Sequence, residues 1–175
     1  MIHLITGGSG SGKSAFAEAS IVALGEEAQR FYIATMYPFD EESFRRIERH
    51  RNMRKEKKFT TVECYTDLKK LQLPSGCNIL LECMSNLVAN EMYREDGAGK
   101  ETVSAVWSGV RHLAKTASNL VIVTNEIFSD GIDYDPETIR YQNYLGEINR
   151  KIASLADQVT EVVYGIPVRV KGEQL

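Results

Sequence analysis

The sequence is poor in every feature that would place it in a membrane, outside the cell or along a nucleic acid. No uninterrupted apolar stretch exceeds five of its 175 residues, far short of the roughly 20 that cross a bilayer. Cys64, Cys77 and Cys83 make an odd set without metal-type spacing, which argues against a disulfide scaffold and fits a reducing compartment. Met1 to Thr6 carry no basic leader and run straight into glycines, so no signal peptide is expected and a cytoplasmic location is. Neither charge dominates: 21 Lys and Arg against 24 Asp and Glu leave a net charge of −3. A surface devoted wholly to nucleic acid or anionic lipid is thereby excluded. Low-complexity tracts, long linkers and fixed-period repeats are also missing, so residues 1–175 are expected to form one domain.

What is present alternates. Ile2–Thr6, Phe31–Thr35, Asn78–Leu81, Leu120–Thr124 and Val159–Val163 read as strands, with Thr60–Glu63 a weaker one. Between them Ser14–Leu24, a helix capped by Asp40 and running to about Arg51, Glu101–Ala117, and a helix opened by Asp135-Pro136 and lasting to about Ala156 read as helices. Strands apolar on both faces that alternate with helices predict an α/β three-layer sandwich with a mostly parallel sheet. Sites in such sheets gather at the carboxyl ends of the strands.

Residues 7 to 14 supply the clearest chemistry. Gly7, Gly8, Ser9, Gly10, Ser11, Gly12, Lys13 and Ser14 match G-x-x-x-x-G-K-[ST] between a strand and a helix. The glycines let successive N–H groups turn toward phosphate oxygens, Lys13 adds a point charge at the β/γ positions, and Ser14 can reach Mg²⁺. The helix that follows aims its positive end at the same anion. A P-loop nucleoside triphosphate site is expected here. A metal-side carboxylate should end another strand, and two residues qualify by position, Glu82 and Glu126.

The cations are concentrated. Residues 45–58 hold eight Lys or Arg against Glu48 and Glu56, a net +6 within an acidic chain, which suggests a local anionic partner or else a solvated helix face. Interleaved aromatics for base stacking are missing, which disfavours nucleic acid. His50 lies inside the segment, on a row with Phe44 and Ile47 expected near the edge of the buried face. A neutral imidazole there could act as nucleophile, with the cations neutralising the phosphate under attack. His3 and His112 read as structural. Asn-Lys-x-Asp is absent, so a guanine-dependent switch is disfavoured.

Taken in order, ITGGSGSGKS (Ile5–Ser14), YIAT (Tyr32–Thr35), RIERHR (Arg46–Arg51), LLEC (Leu80–Cys83), VTNE (Val123–Glu126) and NRKIASLADQV (Asn149–Val159) resemble the bifunctional adenosylcobinamide kinase / adenosylcobinamide-phosphate guanylyltransferase family. The resemblance covers essentially the whole chain. It implies a RecA-like P-loop fold, GTP or ATP with Mg²⁺, adenosylcobinamide and its phosphate as substrates, a homotrimer, and two reactions. A triphosphate first phosphorylates adenosylcobinamide. GTP then gives GMP to a histidine, and the GMP passes to adenosylcobinamide phosphate. By the family motif His50 is that histidine. Ala34, Thr35 and Met36, then Arg51, Asn52, Met53 and Arg54, match nucleotide-contacting stretches. Glu63 and Glu82 match acidic positions of the GTP site, the role of Glu82 being open between metal and base contact. Two departures stand out: Arg54 is followed by Lys55 where the family runs to Arg-Pro, and VTNE continues as the longer IFSDGIDYDPE. The alternative on the residues alone is a P-loop small-molecule kinase without nucleotidyl transfer.

Overall fold

Among the described residues, seven strands of five or six residues each make one sheet. The structure, a computed structural model, describes residues 1–25 and 27–172, the side chain of Met53 excepted. The strands are β1 (Ile2–Thr6), β2 (Arg30–Ala34), β3 (Phe59–Glu63), β4 (Asn78–Glu82), β5 (Asn119–Val123), β6 (Gln158–Val163) and β7 (Ile166–Lys171). Their order across the sheet is β3-β2-β4-β5-β1-β6-β7, parallel throughout except that β7 runs antiparallel to β6.

Side chains alternate across these strands, and the alternation builds two cores. Leu4, Ile33, Ile79, Leu81, Leu120 and Ile122 face one side. They meet Leu87 and Val88 of α3 (Met84–Tyr93), Val110 and Leu113 of α4 (Thr102–Thr116), and Ile148 and Ile152 of α5 (Pro136–Leu155). Ile5, Tyr32, Leu80, Val121 and Val123 face the other, against Ala17 and Ile21 of α1 (Lys13–Ala23). Helices thus cover both faces of a mostly parallel sheet, the expected α/β sandwich. The second face is the thinner, and beside α1 it leaves room for the site.

Two elements escape the sequence reading, for physical reasons. Helix α3 starts at once after β4, and its N-cap, Cys83, makes no side-chain capping bond, so the usual start signal is missing. The β6–β7 hairpin turns through Tyr164 and Gly165, both at positive φ (52° and 80°), which is the geometry of a two-residue hairpin turn. Tyrosine is uncommon there. Pro167 lies within β7, where an edge strand tolerates the missing N–H. Boundaries elsewhere agree to within about three residues, the largest change being α2 (Glu41–Arg54), which continues past Arg51.

Candidate active site

The phosphate loop is held from three sides. Glu126 N–H donates to the Gly7 carbonyl (3.0 Å), and at the hairpin tip Gly165 N–H donates to the Ser11 carbonyl (2.8 Å). A Cβ on Gly7 would lie 2.6 Å from the Val162 carbonyl oxygen, so only glycine fits where the loop passes β6. Gly12, at φ 91°, turns the chain into α1. Lys13 is buried and folds back to donate to the Gly8 carbonyl at 3.0 Å. Burial pulls its ammonium below the ordinary lysine range, with the Glu82 carboxylate opposing that shift.

Glu82, the last residue of β4, is the hub. Its Oε1 accepts from Ser14 Oγ (2.5 Å), its Oε2 accepts from the Tyr32 hydroxyl (2.9 Å), and His50 Nδ1 stands 3.7 Å from Oε1. Burial, with the neighbouring carboxylate adding to it, pushes the Tyr32 phenol far above its ordinary range, so it remains a donor. The structure separates the two carboxylates that strand position left equal. Glu126 turns onto its own loop, accepting from Phe128 N–H and Ser129 Oγ, whereas Glu82 touches the P-loop serine. Ser14 Oγ and the Glu82 carboxylate are adjacent hard oxygens, a donor pair suited to Mg²⁺.

Helix α2 brings the histidine. Asp40 accepts from Ser43 N–H (2.7 Å) while Ser43 Oγ accepts from Asp40 N–H (3.0 Å), a reciprocal cap; the Ser43 hydroxyl and then its N–H, both donating to the Asp40 carboxylate, hold it below its ordinary range. The inward row is Ser43, Ile47, His50 and Arg54, which are buried or half-buried. The expected row is therefore corrected by one position: Phe44 is 59% exposed, and buried Ser43 takes the inner place because its hydroxyl closes the cap. At the far end Arg54 lays its guanidinium 3.4 Å over the Tyr32 ring, which draws the helix three residues beyond Arg51. Lys57 forms an ion pair with Glu18 of α1, a carboxylate wholly out of solvent.

These parts enclose a cavity of about 810 Å³. Ser9 to Ser14 floor it, His50 and Arg54 line it together with Arg45, Arg46 and Arg49, and Glu82 lies between them. Ala34 and Met36 line it as well. Thr35 does not; its buried hydroxyl donates to the Cys83 carbonyl and accepts from Cys83 N–H, fastening β2 to the end of β4. Gly7 and Gly8 lie behind the lining, as backbone supports of the loop. Arg51 and Glu63 pair with each other at 2.7 Å on the exposed outer side of α2, and Asn52 is exposed there too. The side chain of Met53 lies outside the described residues. Sequence reasoning missed Tyr32, Asn86 and Asn125 as lining residues. The one signal for Asn125 is a polar side chain following the apolar run of β5. His3 and His112 keep structural roles, bonded to Thr160 Oγ1 and the Leu71 carbonyl.

Comparison with known proteins adds to this geometry. A family model described as cobinamide kinase / cobinamide phosphate guanyltransferase matches residues 3–170. The chain is 33% identical to the bifunctional adenosylcobalamin biosynthesis protein CobU of Escherichia coli K12, covering 98% of this chain and all of that protein. It is 31% identical to the CobU protein of Salmonella typhimurium over 98% of this chain and all of that one. Pseudomonas aeruginosa CobP, a bifunctional adenosylcobalamin biosynthesis protein, is 28% identical over the full length of both. Among solved structures, the flagellar accessory protein FlaH of Methanocaldococcus jannaschii superposes with a TM-score of 0.50 at 14% identity, over 98% of this chain and 78% of that one. A solved ATPase domain superposes with a TM-score of 0.52 at 8% identity, over 91% and 68%. These two support the RecA-like P-loop fold alone.

Proposed function

The chain belongs to the cobinamide kinase / cobinamide phosphate guanyltransferase family, and from that premise we propose that one phosphate loop serves both reactions while His50 carries GMP between them. The protein is a bifunctional enzyme of adenosylcobalamin biosynthesis: it phosphorylates cobinamide and guanylylates cobinamide phosphate. The observation that carries the division of labour is the common cavity, in which Lys13, Ser14, Glu82 and His50 face the same space.

In the kinase step Gly7 to Ser14 cradle the β- and γ-phosphates of ATP or GTP, and Lys13 swings from the Gly8 carbonyl onto them. Charge moves onto the transferring group and its leaving oxygen, so positioning and neutralisation supply most of the catalysis. Ser14 and Glu82 would hold Mg²⁺, which when bound neutralises charge on the β- and γ-oxygens. In the transferase step the same loop grips the triphosphate while His50 attacks the α-phosphorus of GTP. Arg46, Arg49 and Arg54 face the phosphates from α2. Splitting the transfer into two displacements lets the leaving pyrophosphate depart before the corrinoid phosphate enters. Ala34 and Met36 border the nucleotide from the end of β2, and Thr35, buried between them, ties β2 to the end of β4. Arg54 faces the site from the end of α2, while Arg51, Asn52 and Glu63 border it from the exposed outer side of that helix, where Arg51 and Glu63 pair with each other.

We read residues 1–175 as one catalytic domain. A homotrimer finds an apolar seat in the exposed Ile166, Val168 and Val170 of β7. The three cysteines are free and buried, which fits work in the cytoplasm. Among the described residues no helix is long and apolar enough to cross a membrane.

Product analysis tests the division of labour. With adenosylcobinamide and GTP, His50→Ala should lose the GDP-linked product by several orders of magnitude and keep some phosphorylated cobinamide. Near wild-type formation of the GDP-linked product would make His50 a bystander.

A further inference from the structure

We propose that Glu82 selects which nitrogen of His50 attacks GTP: it faces Nδ1, keeps the proton there, and leaves Nε2 as the nucleophile. This rests on the reading of His50 as the GMP carrier, and it adds a positioning residue and a defined linkage isomer.

Nδ1 of His50 is buried and has no hydrogen-bond partner among the described residues, and Glu82 Oε1 stands 3.7 Å from it. Yet the side chain is 25% exposed and lines the cavity. With Nδ1 out of solvent, that exposure belongs to the rest of the side chain, and of the two ring nitrogens Nε2 is the one left to meet a nucleotide. A neutral imidazole carries one N–H and one lone pair, and an ionised carboxylate only accepts. Facing Nδ1, Glu82 favours the tautomer protonated at Nδ1, which puts the lone pair on Nε2. The separation is longer than a hydrogen bond, and contacts of this kind tighten when substrate fills the site.

The carboxylate is itself fixed. Tyr32 donates to Oε2 and Ser14 to Oε1, and Arg54 packs on the Tyr32 ring. Glu18, the other acid near the ring, pairs with Lys57 through Oε2, and its buried Oε1 has no hydrogen-bond partner among the described residues, whereas both oxygens of Glu82 are held. Glu82 therefore plays towards His50 the part that an acid plays behind any histidine whose tautomer matters.

The step balances. The Nε2 lone pair forms the bond to the α-phosphorus while the bond from that phosphorus to the α,β-bridging oxygen breaks, and pyrophosphate leaves with the electron pair. The ring then carries a positive charge, with its Nδ1 proton facing Glu82. When an oxygen of cobinamide phosphate attacks the same phosphorus, the Nε2–P bond breaks and its pair returns to Nε2. No proton is gained or lost over the two displacements.

The test begins with the wild-type enzyme labelled with ¹⁵N-histidine and guanylylated with GTP. Long-range ¹H–¹⁵N correlation, with the ¹⁵N–³¹P coupling, should place phosphorus on Nε2 of His50 and hydrogen on Nδ1. Phosphorus on Nδ1 would overturn the proposal while leaving His50 as carrier. GMP on another residue, or on none, would overturn the carrier reading instead. A second measurement uses Glu82→Gln, whose amide can donate to Nδ1 and stabilise the wrong tautomer. In one preparation, single-turnover guanylylation should fall by on the order of 10²-fold more than cobinamide phosphorylation with ATP. Equal loss in both reactions would show that Glu82 serves the triphosphate and its metal alone, and would overturn the positioning role.

Discussion

Replacing Tyr32 by phenylalanine removes one hydroxyl and almost nothing else, which makes it a clean probe of the buried network under His50. The Tyr32 hydroxyl donates to Glu82 Oε2 at 2.9 Å, and Glu82 is itself buried. A hydrogen bond to a charged acceptor contributes about 1.5–3 kcal/mol, and the acceptor left behind must find a new donor. Tyr32→Phe should therefore destabilise the fold by about 1.5–3 kcal/mol. For a chain of this length that corresponds to a fall in Tm of very roughly 3–12 °C. The Phe ring can still receive the Arg54 guanidinium, so the position of α2 should survive. Tyr32→Leu removes that face as well and should cost about 1–2 kcal/mol more, the value of a partly desolvated cation–π contact. Urea unfolding at neutral pH reads both: the midpoint should step down from wild type to Phe to Leu with the slope unchanged. A Phe variant with the wild-type midpoint would refute the claim that the hydroxyl secures a buried carboxylate. Equal midpoints for Phe and Leu would refute the stacking contribution.

Two further outcomes follow from buried charge. Lys57→Met leaves Glu18 buried without its cation and should cost about 3 kcal/mol, the low end for a broken buried pair because the lysine is a third exposed; adding Glu18→Met should recover much of that loss in the same unfolding assay. His3 is buried against Thr160, and burial lowers its pKa from the ordinary 6.5. The unfolded chain then binds the proton more tightly, so His3's contribution is intact above about pH 6.5 and is lost as pH falls toward the depressed folded value. Denaturation midpoints taken from pH 7.5 to 5 should decline less steeply in His3→Gln than in wild type, and parallel declines would contradict it.

Local chemistry made much of this molecule legible in its sequence. The phosphate loop is a backbone device whose residues are consecutive, so Gly7 to Ser14 announce it without help from the rest of the fold. Asp40 and Asp135 mark helix starts for the same reason, each capping N–H groups two or three residues ahead. Local pattern failed where the deciding contact is distant. Glu82 ends β4 and Glu126 follows β5, the strand next to β1; only the tertiary approach of Ser14, Tyr32 and His50 to the end of β4 singles out Glu82. The end of α2 was set by a ring 22 residues away in sequence, that of Tyr32 beneath Arg54. Ser43 rather than Phe44 faces inward because a cap bond outranks hydrophobic spacing at the first turn. The hairpin that braces the loop through Gly165 was hidden by a tyrosine in a glycine-like conformation.

That His50 carries GMP is the centre of the account, and intact-mass measurement after incubation with GTP and Mg²⁺ tests it most directly. In the absence of cobinamide phosphate the wild-type chain should gain the mass of one GMP, mapped by peptide fragmentation to His50 and discharged when cobinamide phosphate is added. A chain that turns over GTP and cobinamide phosphate while never gaining that mass, or gaining it at a residue other than His50, would contradict the account.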